Sequence, residues 1–142
     1  MQTVSQLLQI KGTQIFSVAP QDSVLRAIEI MATKHVGALL VMQGEKLLGV
    51  VSERDYARKV ILKGRSSNET DVSQIMSAPV LTVRPDQSVN DCMRIMTENR
   101  GRHLPVVEGE RVVGVLSIGD LVRTLVEEQQ QTIAQLEQYI HS

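Results

Sequence analysis

The chain predicts an α+β fold built from two pseudo-symmetric β-α-β-β-α repeats packed as one pair, and three observations carry that reading. Sliding the sequence by sixty-five residues aligns 16–60 on 81–125 without a gap, with about one position in three identical. Within each copy the apolar spacing switches between strand-like and helical periods in the same order. Each copy also closes on the same phrase, GVVSERD at 49–55 and GVLSIGD at 114–120.

The elements follow from local chemistry. Residues 16–18 and 81–83 are β-prone runs, each stopped by a proline, Pro20 or Pro85, that cannot continue a ladder. Ser23 and Ser88 then stand where N-caps belong. Apolar residues at helical spacing come next: Val24, Ala27, Ile28 and Met31 in one copy, Val89, Cys92, Met93 and Met96 in the other. Both stretches predict amphipathic helices. Runs 38–42 and 104–107 return as 47–51 and 112–116 after Gly-Glu turns at Gly44 and Gly109, which predicts a β-hairpin. Ser52 and Ser117 open a second helix.

A lead-in precedes each copy, VSQLL from Val4 and VSQIM from Val72. Residues 63–71, KGRSSNETD, are polar and turn-rich and read as the connecting loop. The expected division is therefore 1–68, the first repeat with its lead-in helix and the loop, and 69–142, the second repeat with a C-terminal helical extension. A unit of about sixty residues is marginal alone, so the copies are expected to share a core. In the tail, Ile133, Leu136 and Ile140 fall on one helical stripe that seeks a partner surface.

Composition narrows the function. Sixteen acidic residues against fifteen basic ones remove the positive field that holds proteins on phosphate backbones, so nucleic acid is not an expected partner. No apolar run approaches the ~20 residues that span a bilayer, and the N-terminus lacks a basic, then apolar, leader. The single Cys92 has no disulfide mate or metal-ligand spacing, which suits a reducing, cytoplasmic setting. Phe16, Tyr56 and Tyr139 are the only aromatics, so a planar ligand must be held by aliphatic side chains and backbone.

Ser-x-x-Asp at the start of each second helix has two readings. In one it is a capping box: the serine satisfies an orphan N–H and the acid three residues on reaches back. In the other, the helix start and the Ser52 or Ser117 hydroxyl hold a phosphate. A carboxylate one turn in, Asp55 or Asp120, is wrong for phosphate but well made to accept the two hydroxyl protons of a ribose diol. The sequence permits both.

The duplicated unit, the Val-x-Pro opening, the Gly-hydrophobic-hydrophobic-Ser-x-x-Asp close and the HLPVV segment at His103 together resemble a tandem pair of CBS domains, also called a Bateman module. The resemblance covers nearly the whole chain apart from the tail. It implies two clefts between the repeats for adenosine-containing small molecules: AMP, ADP, ATP, NAD(H) or S-adenosylmethionine. It implies phosphate and ribose contacts from Ser52, Arg54 and Asp55 in one, and from Ser117, Gly119 and Asp120 in the other. Adenine contacts are implied for Thr13, Ile15, Val36, Gly37, Ala38 and Leu39 in the first copy. In the second they are Ser77, Val80, Gly101, Arg102, His103 and Leu104. It further implies a homodimer and, in a chain with no attached effector domain, a separate regulated protein as partner.

The copies differ in charge. Arg54 has Gly119 as its counterpart, whereas Arg100 and Arg102 face His35 and Gly37, so the second site is expected to draw phosphate charge from Arg100 or Arg102. No activated nucleophile, metal cluster or P-loop assembles at recognisable spacing, so no catalytic cofactor and no enzymatic activity are expected. Two functions remain: a regulatory sensor with an adenine nucleotide as its ligand, or a structural homodimerisation module with unoccupied clefts.

Overall fold

The computed structural model describes residues 2–141. Its elements run α1 (Val4–Lys11), β1 (Ser17–Val18), α2 (Val24–Lys34), β2 (Ala38–Gln43), β3 (Lys46–Ser52) and α3 (Glu53–Tyr56). They continue as α4 (Val89–Asn99), β4 (His103–Glu108), β5 (Arg111–Ser117) and α5 (Ile118–His141). A π-helical turn, Ala57–Ile61, follows α3, and a 3-10 turn occupies Val72–Gln74.

The fold is α+β, and the repeats recur element for element. Ser23 and Ser88 cap α2 and α4 as expected, accepting the Arg26 and Asp91 N–H groups at 3.1 and 3.0 Å. Each helix buries the same three positions, Val24, Ala27 and Met31 against Val89, Cys92 and Met96. The hairpins turn at Gly44 and Gly109, whose φ of 61° and 65° lie in the left-handed region that favours glycine.

Space and chain order divide the protein differently. One compact unit joins the N-terminal segment as far as Thr13 to Thr82–Glu108 and the chain from Val113 onward. The other takes Gln14–Leu81 with the turn Gly109–Val112. Helix α1, the lead-in of the first repeat, thus packs with the second repeat, and the lead-in of the second packs with the first. Each unit holds a hydrophobic cluster of its own. Val4, Leu7 and Leu8 of α1 complete the cluster of Val89, Cys92, Met96, Leu104, Val106 and Leu116. Val72 and Ile75 complete that of Val24, Ala27, Met31, Leu39, Val41 and Val51. Fully burying one such side chain contributes about 1.5 to 3 kcal/mol, so a borrowed lead-in matters to a repeat this small.

The lead-in exchange also accounts for the glycine that opens each repeated phrase. A Cβ on Gly49 would lie 2.7 Å from Met76 Sδ and 2.9 Å from the Ser77 carbonyl oxygen. On Gly114 it would lie 2.7 Å from Leu8 Cδ2. Leu8 and Met76 are the last residues of VSQLL and VSQIM.

In the first-repeat unit the sheet order is β1-β2-β3, with β1 parallel to β2 and β2 antiparallel to β3. In the other, β4 and β5 pair, and the β-prone run 81–83 contributes only an isolated bridge, Val83 to Val106. Proline explains the difference. The Leu40 N–H donates to the Phe16 carbonyl at 3.1 Å, but its counterpart Pro105 has no N–H to offer Leu81.

Candidate functional site

Both Ser-x-x-Asp motifs sit where a hairpin strand becomes a helix. The Asp55 N–H donates to Ser52 Oγ at 3.1 Å, and Asp55 Oδ2 accepts the Ser52 N–H at 3.0 Å and the Ser52 hydroxyl at 3.0 Å. In the second copy the Asp120 N–H donates to Ser117 Oγ at 3.2 Å, and Asp120 Oδ2 accepts the Ser117 N–H at 2.8 Å. The capping box is therefore formed twice. A further backbone bond ties each helix start to the residue preceding β2 or β4: Glu53 N–H to Gly37 O at 3.1 Å, and Ile118 N–H to Arg102 O at 2.8 Å. These contacts leave the Arg54 and Gly119 N–H groups as the first-turn donors they do not use.

In the first-repeat unit, Ala38 lies opposite Ser52 in the β2–β3 register. Ser77 bridges to Val50, exchanging N–H···O bonds of 3.1 and 2.9 Å. Gly37, Ala38, Ser52, Asp55 and Ser77 thus gather at one end of the sheet. Ile15, Val36 and Val80 belong to the same unit and are partly buried, and Arg54 is exposed. The second-repeat unit brings Arg102 and His103 to Ser117, Gly119 and Asp120, with Thr13 in that unit and Arg100 exposed at the end of α4. Ser77 and Val80 thus share a unit with Ser52 and Asp55, and Thr13 shares one with Ser117 and Asp120. The lead-in exchange is the cause. Leu39 and Leu104 are 1 % and 2 % exposed and serve the two cores.

Three cations absent from the sequence reading complete the two constellations. Lys59, one turn beyond Asp55, lies 3.3 Å from its Oδ1 and donates to the Ile75 carbonyl at 2.9 Å. Asp120 instead meets Lys11, at the end of α1, whose ammonium reaches Oδ2 at 2.5 Å and the Val115 carbonyl at 2.6 Å. Arg123 lies 3.6 Å from Asp120 Oδ1. Lys59 and Arg123 are legible as i,i+4 and i,i+3 partners of an acid on a helix. Lys11 is not, being 109 residues from Asp120.

Burial alone pushes the Asp120 carboxyl up, but the hydrogen bonds from Lys11 and Ser117 and the Lys11 charge together outweigh it and hold the group below its ordinary value. The Cys92 thiol, sealed in the core, is pushed up to about 11 by burial and by the neighbouring Asp91 charge. A thiol held in that state is no nucleophile at neutral pH.

His103 is held below its ordinary 6.5 by burial first and by the Lys11 and Arg102 charges, against the opposing pull of Asp120. The unfolded chain then takes up this proton before the folded one does. Stability from this group is complete above pH 6.5 and declines as pH falls from there toward the lowered folded value. Denaturation midpoints of wild type and His103→Gln, measured from pH 7.5 downward, should diverge in that window. An imidazole titration midpoint at or above 6.5 by NMR overturns the prediction.

What the arrangement can do chemically is the same in both units: present a carboxylate beside a serine hydroxyl and a free helix-start N–H. Such a group of donors and acceptors suits a sugar diol carrying a phosphate or another polar group.

A family model for the CBS domain matches residues 8–62 and again 72–127. The mitochondrial CBS domain-containing protein CBSX3 of Arabidopsis thaliana is 39% identical over 147 residues, covering 97% of this chain and 71% of that protein. A solved structure of a protein with CBS domains from Burkholderia ambifaria MC40-6 superposes with a TM-score of 0.86 at 49% identity, covering 90% of this chain and 96% of that one. The CBS domain pair of protein MJ0100, solved with 5'-methylthioadenosine and S-adenosyl-L-methionine, shares the fold with a TM-score of 0.80 at 22% identity, covering 90% of this chain and 98% of that one. Among the described residues no helix is long and apolar enough to cross a membrane.

Proposed function

Because the chain belongs to the CBS-domain family, we propose that it is a regulatory module that binds an adenosine-containing small molecule at its Ser-x-x-Asp constellations and signals the bound state to a separate protein. The recurrence of one arrangement in both units carries the reading: a serine at a strand end, an aspartate one turn later, and an unused helix-start N–H. Capping alone does not require the same serine and aspartate at both places, since several residue types cap a helix. A diol recognised beside a polar or phosphate group does require a paired acceptor and donor.

AMP, ADP, ATP, NAD(H) and S-adenosylmethionine share the adenosine moiety with the ligands of the distant pair named above, and they form the probe set. Scarce aromatics leave the base to backbone groups near Gly37 and Arg102 and to the flanks of Ile15, Val36 and Val80. The two constellations should differ in affinity. A diol must share Asp120 with the close Lys11 ammonium, whereas Lys59 lies farther from Asp55.

One observation favours a second reading, a structural homodimerisation module. Both carboxylates already have partners within the chain, so the motifs are fully accounted for as caps. A thermal-shift panel separates the two. A ligand at a hundred times its Kd adds about 2.7 kcal/mol of stability, which raises Tm by several degrees for a chain of this size. A shift with one or more adenosine compounds is the expected result. Unchanged Tm across the whole set, at millimolar ligand, leaves the homodimerisation module as the function.

A further inference from the structure

We propose that α5, from Val122 to Ile140, pairs with the same segment of a second copy of this chain as an antiparallel two-helix coiled coil. Helix α5 is 24 residues long, yet its buried and partly buried side chains, Asp120, Leu121, Thr124, Leu125 and Glu128, all lie in its first three turns, where Glu128 also accepts the Gln2 N–H at 3.0 Å. From Gln129 to His141 every residue is exposed. A solvated helix of about that length is marginal in water without a partner for its apolar face.

That face exists and is not an extension of the buried one. Val122, Val126, Ile133, Leu136 and Ile140 are between 44 % and 73 % exposed. With Gln129 they recur at alternating steps of four and three residues, a heptad seam. At 3.6 residues per turn the seam is turned roughly 100° from the face carrying Leu121, Thr124 and Leu125. Folding against its own unit therefore leaves it uncovered.

Charge selects the occupant and the direction. Glu127, Glu128 and Glu137 outnumber Arg123 along this segment, which opposes docking on an anionic lipid surface. A second copy is complementary. Antiparallel pairing sets Val122 against Ile140 of the second copy and Val126 against its Leu136, and brings Arg123 beside its Glu137 twice by symmetry. Arg123 is 69 % exposed, so its 3.6 Å contact with Asp120 is a solvated one that it can exchange for Glu137 of the second copy. Parallel pairing sets Gln129 against Gln129 and brings neither Arg123 nor Glu137 to an opposite charge.

Cross-linking of the full chain tests this independently of any other dimer contact. Cys92 is buried, so an introduced cysteine is the accessible thiol. Antiparallel pairing brings position 130 of the two copies together across the two-fold axis. It leaves positions 140 roughly 27 Å apart at 1.5 Å per residue. A short bis-maleimide should therefore give covalent dimer from Gln130→Cys and none from Ile140→Cys. Adding Leu136→Glu to Gln130→Cys should abolish the product. Dimer from Ile140→Cys, dimer from neither variant, or product that survives Leu136→Glu each overturns the proposal.

Discussion

Under the proposed function, replacing Asp55 or Asp120 by alanine should lower affinity for an adenosine-containing ligand at the altered constellation by roughly ten- to a hundredfold, the loss of a charge-assisted hydrogen bond. The variants also lose stability, because each aspartate holds a serine N–H and an ammonium. Removing a cap costs about 0.5 to 2 kcal/mol, and Asp120→Ala should lie at the upper end since it also strands Lys11. Asparagine separates the two effects. At Asp55 its carbonyl still accepts the Ser52 N–H, so Asp55→Asn should keep most of the stability yet lose much of the affinity. Calorimetric titration and denaturant melts of the three variants check this. Binding that survives both alanine substitutions while Tm falls reduces the motifs to caps. The stability share of Asp120 also depends on pH: its depressed carboxyl contributes fully at neutral pH, and the contribution is lost as pH falls below the ordinary carboxylate range.

Gly49→Ala destabilises the protein by about 1 to 3 kcal/mol, the usual range for overpacking, whereas Gly114→Ala costs distinctly less. Neither glycine is needed for its backbone angles. The difference lies in what the added methyl meets. At Gly49 it runs into the Ser77 carbonyl oxygen at 2.9 Å as well as Met76 Sδ. That carbonyl accepts the Val50 N–H, so it cannot retreat without breaking the bridge that seats the second lead-in on the first repeat. At Gly114 the methyl meets the end of the Leu8 side chain, which can change rotamer. No destabilisation from Gly49→Ala refutes the lead-in packing as the reason for the repeated glycine, and equal destabilisation by the two alanines refutes the distinction between the two seats.

Much of this was legible from residue order alone. The 65-residue repeat, the caps at Ser23 and Ser88, the hairpin turns at Gly44 and Gly109 and the helix starts at Ser52 and Ser117 all rest on interactions spanning two to four residues. Such interactions are written in local periodicity and turn chemistry, so a single chain read in one direction determines them. Reading by copy still missed Pro105, whose missing N–H trims the strand beside it. The helix opened at Ser52 gives way to a π-helical turn after four residues.

Only the tertiary structure decided which core each lead-in completes. VSQLL and VSQIM carry nearly the same apolar residues, and hydrophobic burial has no direction, so either could fill either repeat. Packing resolves the choice, and every long-range consequence follows from it. It brings Lys11 to Asp120 across 109 residues, sets Ser77 beside Val50, and turns the glycine of GVVSERD and GVLSIGD into a seat for a distant side chain.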